Sequence, residues 1–244
     1  MAQAKRWRLS GLLRAAISDG TYAPGQKLPQ TSELSKQHGV SGNTITDATG
    51  LLQRAGILVL RKGEGLFVND FPIFVQEETR RLSASVWADG RAITDADQRD
   101  VSIDMIAQRR AAPPQRIAEY LGLEQGVEAA TRSRRQIVDG RPVNYSTSYI
   151  PLDIAEDTVL ETADTGPGGT PARLADLGHR PTEVFADLDA DVADGFLAEA
   201  LAVPVGTALA VETRGMADED GRIVEVTVKS IPAGRGRLRF RWPL

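Results

Sequence analysis

Arg132 and Arg134 stand two residues apart in a run, residues 129 to 138, that reads as a β-strand, so both guanidinium groups fall on one face. Two such forks side by side can clamp a phosphate or a carboxylate. The competing reading is a pair of solvated strand arginines facing Asp189, Asp191 or another surface acid. A second cationic pair, Arg61 and Lys62, precedes Gly63 in a glycine-bounded turn of the kind that lies along a phosphate ridge or in a minor groove; a solvated hairpin is the alternative. Asn43, Thr44, Thr46 and Asp47 gather just after Ser41, at the start of a helical pattern. Side chains so placed meet base edges when a helix enters the major groove by its N-terminus. Thr165 to Thr170 (TGPGGT) precedes another helical pattern, where backbone N–H groups can form an anion nest, with an ordinary loop as the alternative. No Gly-Lys-Ser/Thr follows, so the segment is not a P-loop.

Other chemistries are excluded by composition. Among 244 residues there is no cysteine and only two histidines, His38 and His179, which removes disulfides, thiolate zinc sites, cysteine nucleophiles and histidine-rich metal clusters. No metal or cofactor is expected. His179 has no evident Ser or Asp partner and reads as a surface or packing residue. The basic N-terminus lacks a cleavable apolar core, and no run reaches bilayer length, so a soluble cytoplasmic protein without a membrane partner is expected. Charge is unevenly spread: residues 1–70 hold nine Lys/Arg against five acids, a balance of +4 in a chain whose net charge is -4. A basic head on an acidic body suits a nucleic-acid reader whose body stays off the phosphates, though a chance fluctuation would look the same.

The elements that must position these groups are legible in outline. Trp7, Leu12, Leu13, Ala16 and Ile17 recur at helical spacing and predict a first helix. A second is expected over residues 31–38, burying Leu34 and stopping at Gly39. Ser41 is a good N-cap for a third over about residues 42–55, with Ile45, Ala48, Leu51 and Leu52 on its apolar side. Strands at 57–60 and 66–68 then enclose the basic turn. Helix, turn, helix and wing in this order predict a winged helix-turn-helix, with Lys36, Arg61 and Lys62 on phosphates.

The stretch from residue 24 to 68 resembles the DNA-binding domain of the GntR family of bacterial regulators. The resemblance is carried by Pro24, Gly25, Leu28, Pro29, Glu33, Leu34, Gly39, Val40, Ser41, Thr44, Asp47, Ala48, Leu52, Gly56, Gly63, Gly65, Phe67 and Val68. Ser32, Gly42 and Thr46 stand where the family usually carries DNA-contacting arginines. Neither glycine nor threonine reproduces a bidentate fork to guanine. Three outcomes stay open: a more A·T-rich or shape-read site, weak binding that needs cooperativity, or lost DNA binding.

Residues 1–70 are expected to form the DNA-binding domain, 71–80 a linker and 81–244 a second, α+β domain built from antiparallel hairpins with helices between them. Asp139-Gly140 and Asp220-Gly221 are hairpin turns between strands at 129–138 and 142–150, and before 223–231. Further strands are expected at 100–107, 183–190 and 208–214, and helices at 114–121, 170–177 and 192–201. This half resembles the UTRA effector domain of the HutC subfamily through Leu121 to Leu123, Arg132 and Arg134, Asp139 to Pro142, Tyr149 to Pro151, Gly178, and Gly221 with Val224 and Glu225. The resemblance implies a small-molecule pocket, with Arg134, Thr147, Tyr149 and Glu225 as candidates beside Arg132, and dimerisation through this domain. Gln136 stands where many members have a second arginine, which counts against an anion clamp and a phosphosugar ligand and favours a neutral or lactone-like effector. The leading expectation is a ligand-responsive repressor that binds a palindromic operator as a homodimer. The alternatives are a sensing or dimerisation module with weak DNA binding, and, through the likeness of the UTRA fold to chorismate lyase, an enzyme; no convincing acid–base pair supports the last.

Overall fold

Leu9 and Leu13 of helix α1 (Ala2–Ser18) pack with Leu34 of α2 (Thr31–His38) and with Ile45, Ala48 and Leu52 of α3 (Gly42–Arg54) into one apolar cluster. The structure, a computed structural model, describes residues 2–81, 83, 87, 88 and 101–242. Trp7 and Leu12, expected on the inner face of α1, are instead more than half exposed. The helix begins earlier than the apolar run, and the stripe facing α3 passes through Leu9, Leu13 and Ile17. Gly39 ends α2 in the left-handed conformation at φ 61°, and Ser41 Oγ accepts the Thr44 N–H at 3.4 Å to start α3. Strands β1 (Leu58–Arg61) and β2 (Gly65–Val68) pair antiparallel as the wing.

The stretch read as a linker holds a strand. β3 (Phe74–Glu77) runs parallel to β10 (Gly236–Arg239), and α4 (Glu78–Arg81) follows at once. Phe74 and Gln76 are buried on one side of β3, an alternation too short to read against Pro72.

The second half is a six-stranded antiparallel sheet in the order β4-β5-β6-β9-β8-β7. Its strands are β4 (Val101–Ala111), β5 (Ala129–Val138), β6 (Arg141–Pro151), β7 (Glu183–Val192), β8 (Ala208–Ala217) and β9 (Ile223–Pro232). Of the extended stretch expected at 100–107, Asp100 lies outside the described residues and the strand runs on to Ala111. Asp139 and Gly140 both take positive φ, 49° and 70°, as a two-residue hairpin turn of matching twist demands. Helices α5 (Gln115–Leu121) and α8 (Gly195–Leu201) pack on the sheet through Ile117 and Leu121 and through Ala198 and Leu201. α6 (Leu152–Ala155) and α7 (Gly169–Asp176) close a further apolar cluster around Leu160 and Leu174.

Head and body touch directly. Asn69 Nδ2 donates to Gly56 O and to Gly234 O, each at 2.9 Å, stitching the end of α3 to the turn before β10.

Candidate ligand cavity and nucleic-acid interface

A cavity of about 450 Å³ opens on one face of the sheet. Alternation decides what faces it. From β5 come Arg132, Arg134 and Gln136, from β6 Asn144 and Ser146, from β8 Arg214, and from β9 Glu225, Thr227 and Lys229. The rim is the segment from Ala163 to Pro171, which runs into α7.

Of the expected ligand residues, Arg132, Arg134 and Glu225 meet here, whereas Thr147 and Tyr149 do not line the cavity. Arg132 pairs with Ser148 and Arg134 with Ser146, so the odd-numbered positions of β6 belong to the opposite face. There Thr147 Oγ1 lies 2.9 Å from Ser133 Oγ, and Tyr149 packs with Ile117, Leu121 and Val226. Burial raises the Tyr149 hydroxyl pKa, as a packing role entails. Arg214, Lys229, Asn144 and Thr227 were not singled out from sequence. Once Glu225 is chosen, parity on β9 points to Thr227 and Lys229, but Arg214 is reached only through the pairing of β8 with β9.

The cavity floor is a charged network. Lys229 Nζ lies 2.9 Å from Glu78 Oε1 and 2.8 Å from Glu212 Oε2, and Arg214 Nη2 lies 3.8 Å from Glu225 Oε2. Arg132, 3% exposed, donates to Thr170 Oγ1 at 3.3 Å and to Ala163 O at 3.2 Å. Burial pulls its guanidinium below the usual arginine range, and the nearby Glu225 and Asp164 carboxylates oppose that shift. Arg132 Nε and Arg214 Nε are buried without a hydrogen-bond acceptor. Gln136 Oε1 accepts from Gln76 Nε2 and Asn144 Nδ2, and the cations of Arg214 and Lys229 on neighbouring strands line the same cavity. The glycine-rich rim is less of an open nest than its composition implies: Gly166 N–H already donates to Asp164 Oδ1 at 2.8 Å and Gly169 N–H to Gly166 O at 3.1 Å. His179 does have an acidic partner. Its Nδ1 lies 3.0 Å from Asp218 Oδ2, and because Asp218 also accepts the Asp220 and Arg222 N–H groups, the pair anchors the β8–β9 turn. Such partners thirty-nine residues apart meet only through strand pairing.

In the head, Lys36, Ser41, Asn43 and Thr46 are exposed and Thr44 is half-buried, all along α2 and the start of α3. Two hydroxyls are engaged locally: Thr44 Oγ1 lies 2.9 Å from Ser41 Oγ, and Thr46 Oγ1 donates to Gly42 O at 3.1 Å. Asn43 thus offers the freer polar group. At the wing, Lys62 and Gly63 are exposed at the tip, but Arg61 is held back, 3.1 Å from Asp70 Oδ2 and 4.2 Å above the Phe67 ring. Lys27, exposed beside Gly65 and bridged to the wing at Phe67, is a cation the sequence reading did not select. Lys62→Ala is therefore expected to flatten the plot of log K for duplex binding against log salt by about one unit of slope, and Arg61→Ala by less. Fluorescence anisotropy across a salt series measures both, and equal losses would contradict the restraint on Arg61.

Residues 7–68 match the family described as bacterial regulatory proteins, gntR family, and residues 96–235 match the UTRA domain. The HTH-type transcriptional regulator Rv0792c of Mycobacterium tuberculosis is 31% identical over 91% of this chain and 79% of its own. A Shigella flexneri protein named for transcriptional repression of a fructoselysine utilization operon is 29% identical over 56% of this chain and 53% of its own. Among solved structures, PhnF from Mycobacterium smegmatis aligns with a TM-score of 0.58 at 20% identity, covering 98% of both chains, a likeness of fold.

Proposed function

Because this chain belongs to the gntR family of bacterial transcriptional regulators and carries a UTRA domain, we propose that it is a repressor whose hold on DNA is set by a small anionic effector. The observation that carries this reading is the cavity, where Arg132, Arg134, Arg214 and Lys229 converge in the half of the chain that follows the helix-turn-helix. Charge-assisted hydrogen bonds from such groups select a carboxylate or phosphate ester. The hydroxyls and amides of Thr170, Thr227, Asn144 and Gln136 suit a polar, hydroxylated remainder. Lys229 and Arg214 thus outweigh the neutral effector that Gln136 alone implied. The Shigella relative named as a repressor supports the sign of regulation.

The protein acts as a homodimer on a palindromic operator, with half-sites about 34 Å apart on one face of the duplex. Strand β7 supports this reading, since it is a sheet edge that exposes Val184, Leu188 and Val192. Asn43 and the α3 N-terminus read bases, while Lys36, Lys62 and Lys27 hold phosphates. The effector acts by binding one arrangement of the dimer better than the other, so that operator affinity shifts by linkage. No catalysis is assigned to the cavity. No helix among the described residues is long and apolar enough to cross a membrane, and the regulator works where the chromosome is, in the cytoplasm.

Sequencing of sheared genomic DNA retained by the purified protein at low and moderate salt tests the reading. Retention of a few sites sharing an inverted repeat is the expected result. Recovery only of sequence-independent DNA that vanishes steeply with salt would instead favour a sensory module in which Ser32, Gly42 and Thr46 have cost the head its operator.

A further inference from the structure

The segment joining the two halves enters the wall of the cavity. Ten residues after the wing ends at Val68, Glu78 is fully buried, with Lys229 Nζ 2.9 Å from its Oε1 and Arg214 Nη1 4.0 Å from its Oε2. Gln76, also fully buried, donates from Nε2 to Gln136 Oε1 at 3.3 Å. Lys229, Arg214 and Gln136 all line the cavity. One side of each of these groups therefore faces the cavity and the other faces the connecting segment. A buried carboxylate among cations that border a ligand site is chemically what an anionic ligand would itself supply.

We infer that Glu78 is an internal competitor for the effector: an anion that engages Lys229 and Arg214 from the cavity weakens their bonds to Glu78 and so loosens the segment that carries the DNA-binding head. The inference rests on the cavity being the effector site and names the residue through which that site is read. Lys229 is shared with Glu212 as well, so a third anion does not strip the ammonium of partners but redistributes its three N–H groups. Glu212 belongs to β8, inside the sheet, and stays; Glu78 sits on the only one of the two elements that leads to the head. The competition is reciprocal, so any arrangement that seats Glu78 firmly lowers affinity for the anion by the same factor. A purely structural Glu78, neutralising a buried lysine, would show no such exchange.

Amide hydrogen exchange on the full-length protein, with and without inorganic phosphate as the probe, distinguishes the two roles. Phosphate is expected to slow exchange in the rim, residues 163–171, and to speed it in residues 71–81. In Glu78→Gln, residues 71–81 should exchange quickly without phosphate and respond no further, while the dissociation constant for phosphate falls by about 5- to 150-fold. Protection of the rim with no change in residues 71–81 would overturn the inference and leave the effector reading intact. No protection of the rim even at high phosphate would overturn both. Should Glu78→Gln not fold, the wild-type comparison decides the matter alone.

Discussion

Lys229→Met destabilises the effector domain by about 3–5 kcal/mol, the loss expected when one member of a buried ion cluster is removed and its partners stay behind. The ammonium lies between Glu78 and Glu212, whose side chains are 0% and 1% exposed, so both carboxylates depend on it for charge compensation. Methionine matches the length of the stem but offers no N–H, leaving Glu212 with two buried oxygens and no cation at 2.8 Å. The cost is one of orphaned charge rather than of lost volume. A triple variant that also carries Glu78→Gln and Glu212→Gln should therefore recover much of it, because removing both signs of a buried pair is far less harmful than removing one. Urea unfolding monitored by circular dichroism reads this as a fall in midpoint at constant slope. A loss for the single variant within the range of a surface ion pair, about 1 kcal/mol or less, would mean that water reaches the cluster.

Gly56→Ala separates the head from the body. Gly56 sits at φ 69°, where alanine costs roughly 1–2 kcal/mol of backbone strain. Its added Cβ would stand 2.2 Å from Ala233 O and 2.7 Å from Gly234 N, both backbone atoms that no rotamer can move aside. The Asn69 bridge to Gly56 O and Gly234 O would open with it. Gly39 supplies the control, for it has a similar φ of 61° but nothing within 4 Å of a built Cβ. Both variants should lower head stability, yet only Gly56→Ala should split one calorimetric transition into two and abolish the effect of phosphate on DNA binding. If the two variants behave alike, the Gly56–Gly234 contact does not couple the domains.

How far the sequence reaches is visible in particular residues. Local interactions were legible: Gly39 and Ser41 bound α2 and α3 because left-handed backbone and capping hydroxyls are properties of one or two residues. Asp139-Gly140 marked its hairpin for the same reason. The inner face of α1 was misread because the apolar pattern alone did not show where the helix starts, and Trp7 and Leu12 drew it round. Parity on a single strand put Arg132 and Arg134 together, but the choice of Thr147 and Tyr149 needed the register of β5 against β6, in which the cavity face falls on Ser146.

The sequence by itself determined the winged head, the hairpin order of the body, the basic wing tip and one strand of the cavity, because each rests on periodicity or on the backbone preference of one or two residues. Only the tertiary structure decided that Arg214 and Lys229 converge with Arg132, Arg134 and Glu225, that Arg61 is restrained by Asp70 and Phe67, and that Glu78 enters the cavity wall. Glu78 and Lys229 lie 151 residues apart, and the pairing of β3 with β10 in one sheet and of β8 with β9 in another that brings them together is a property of the assembled fold rather than of any segment.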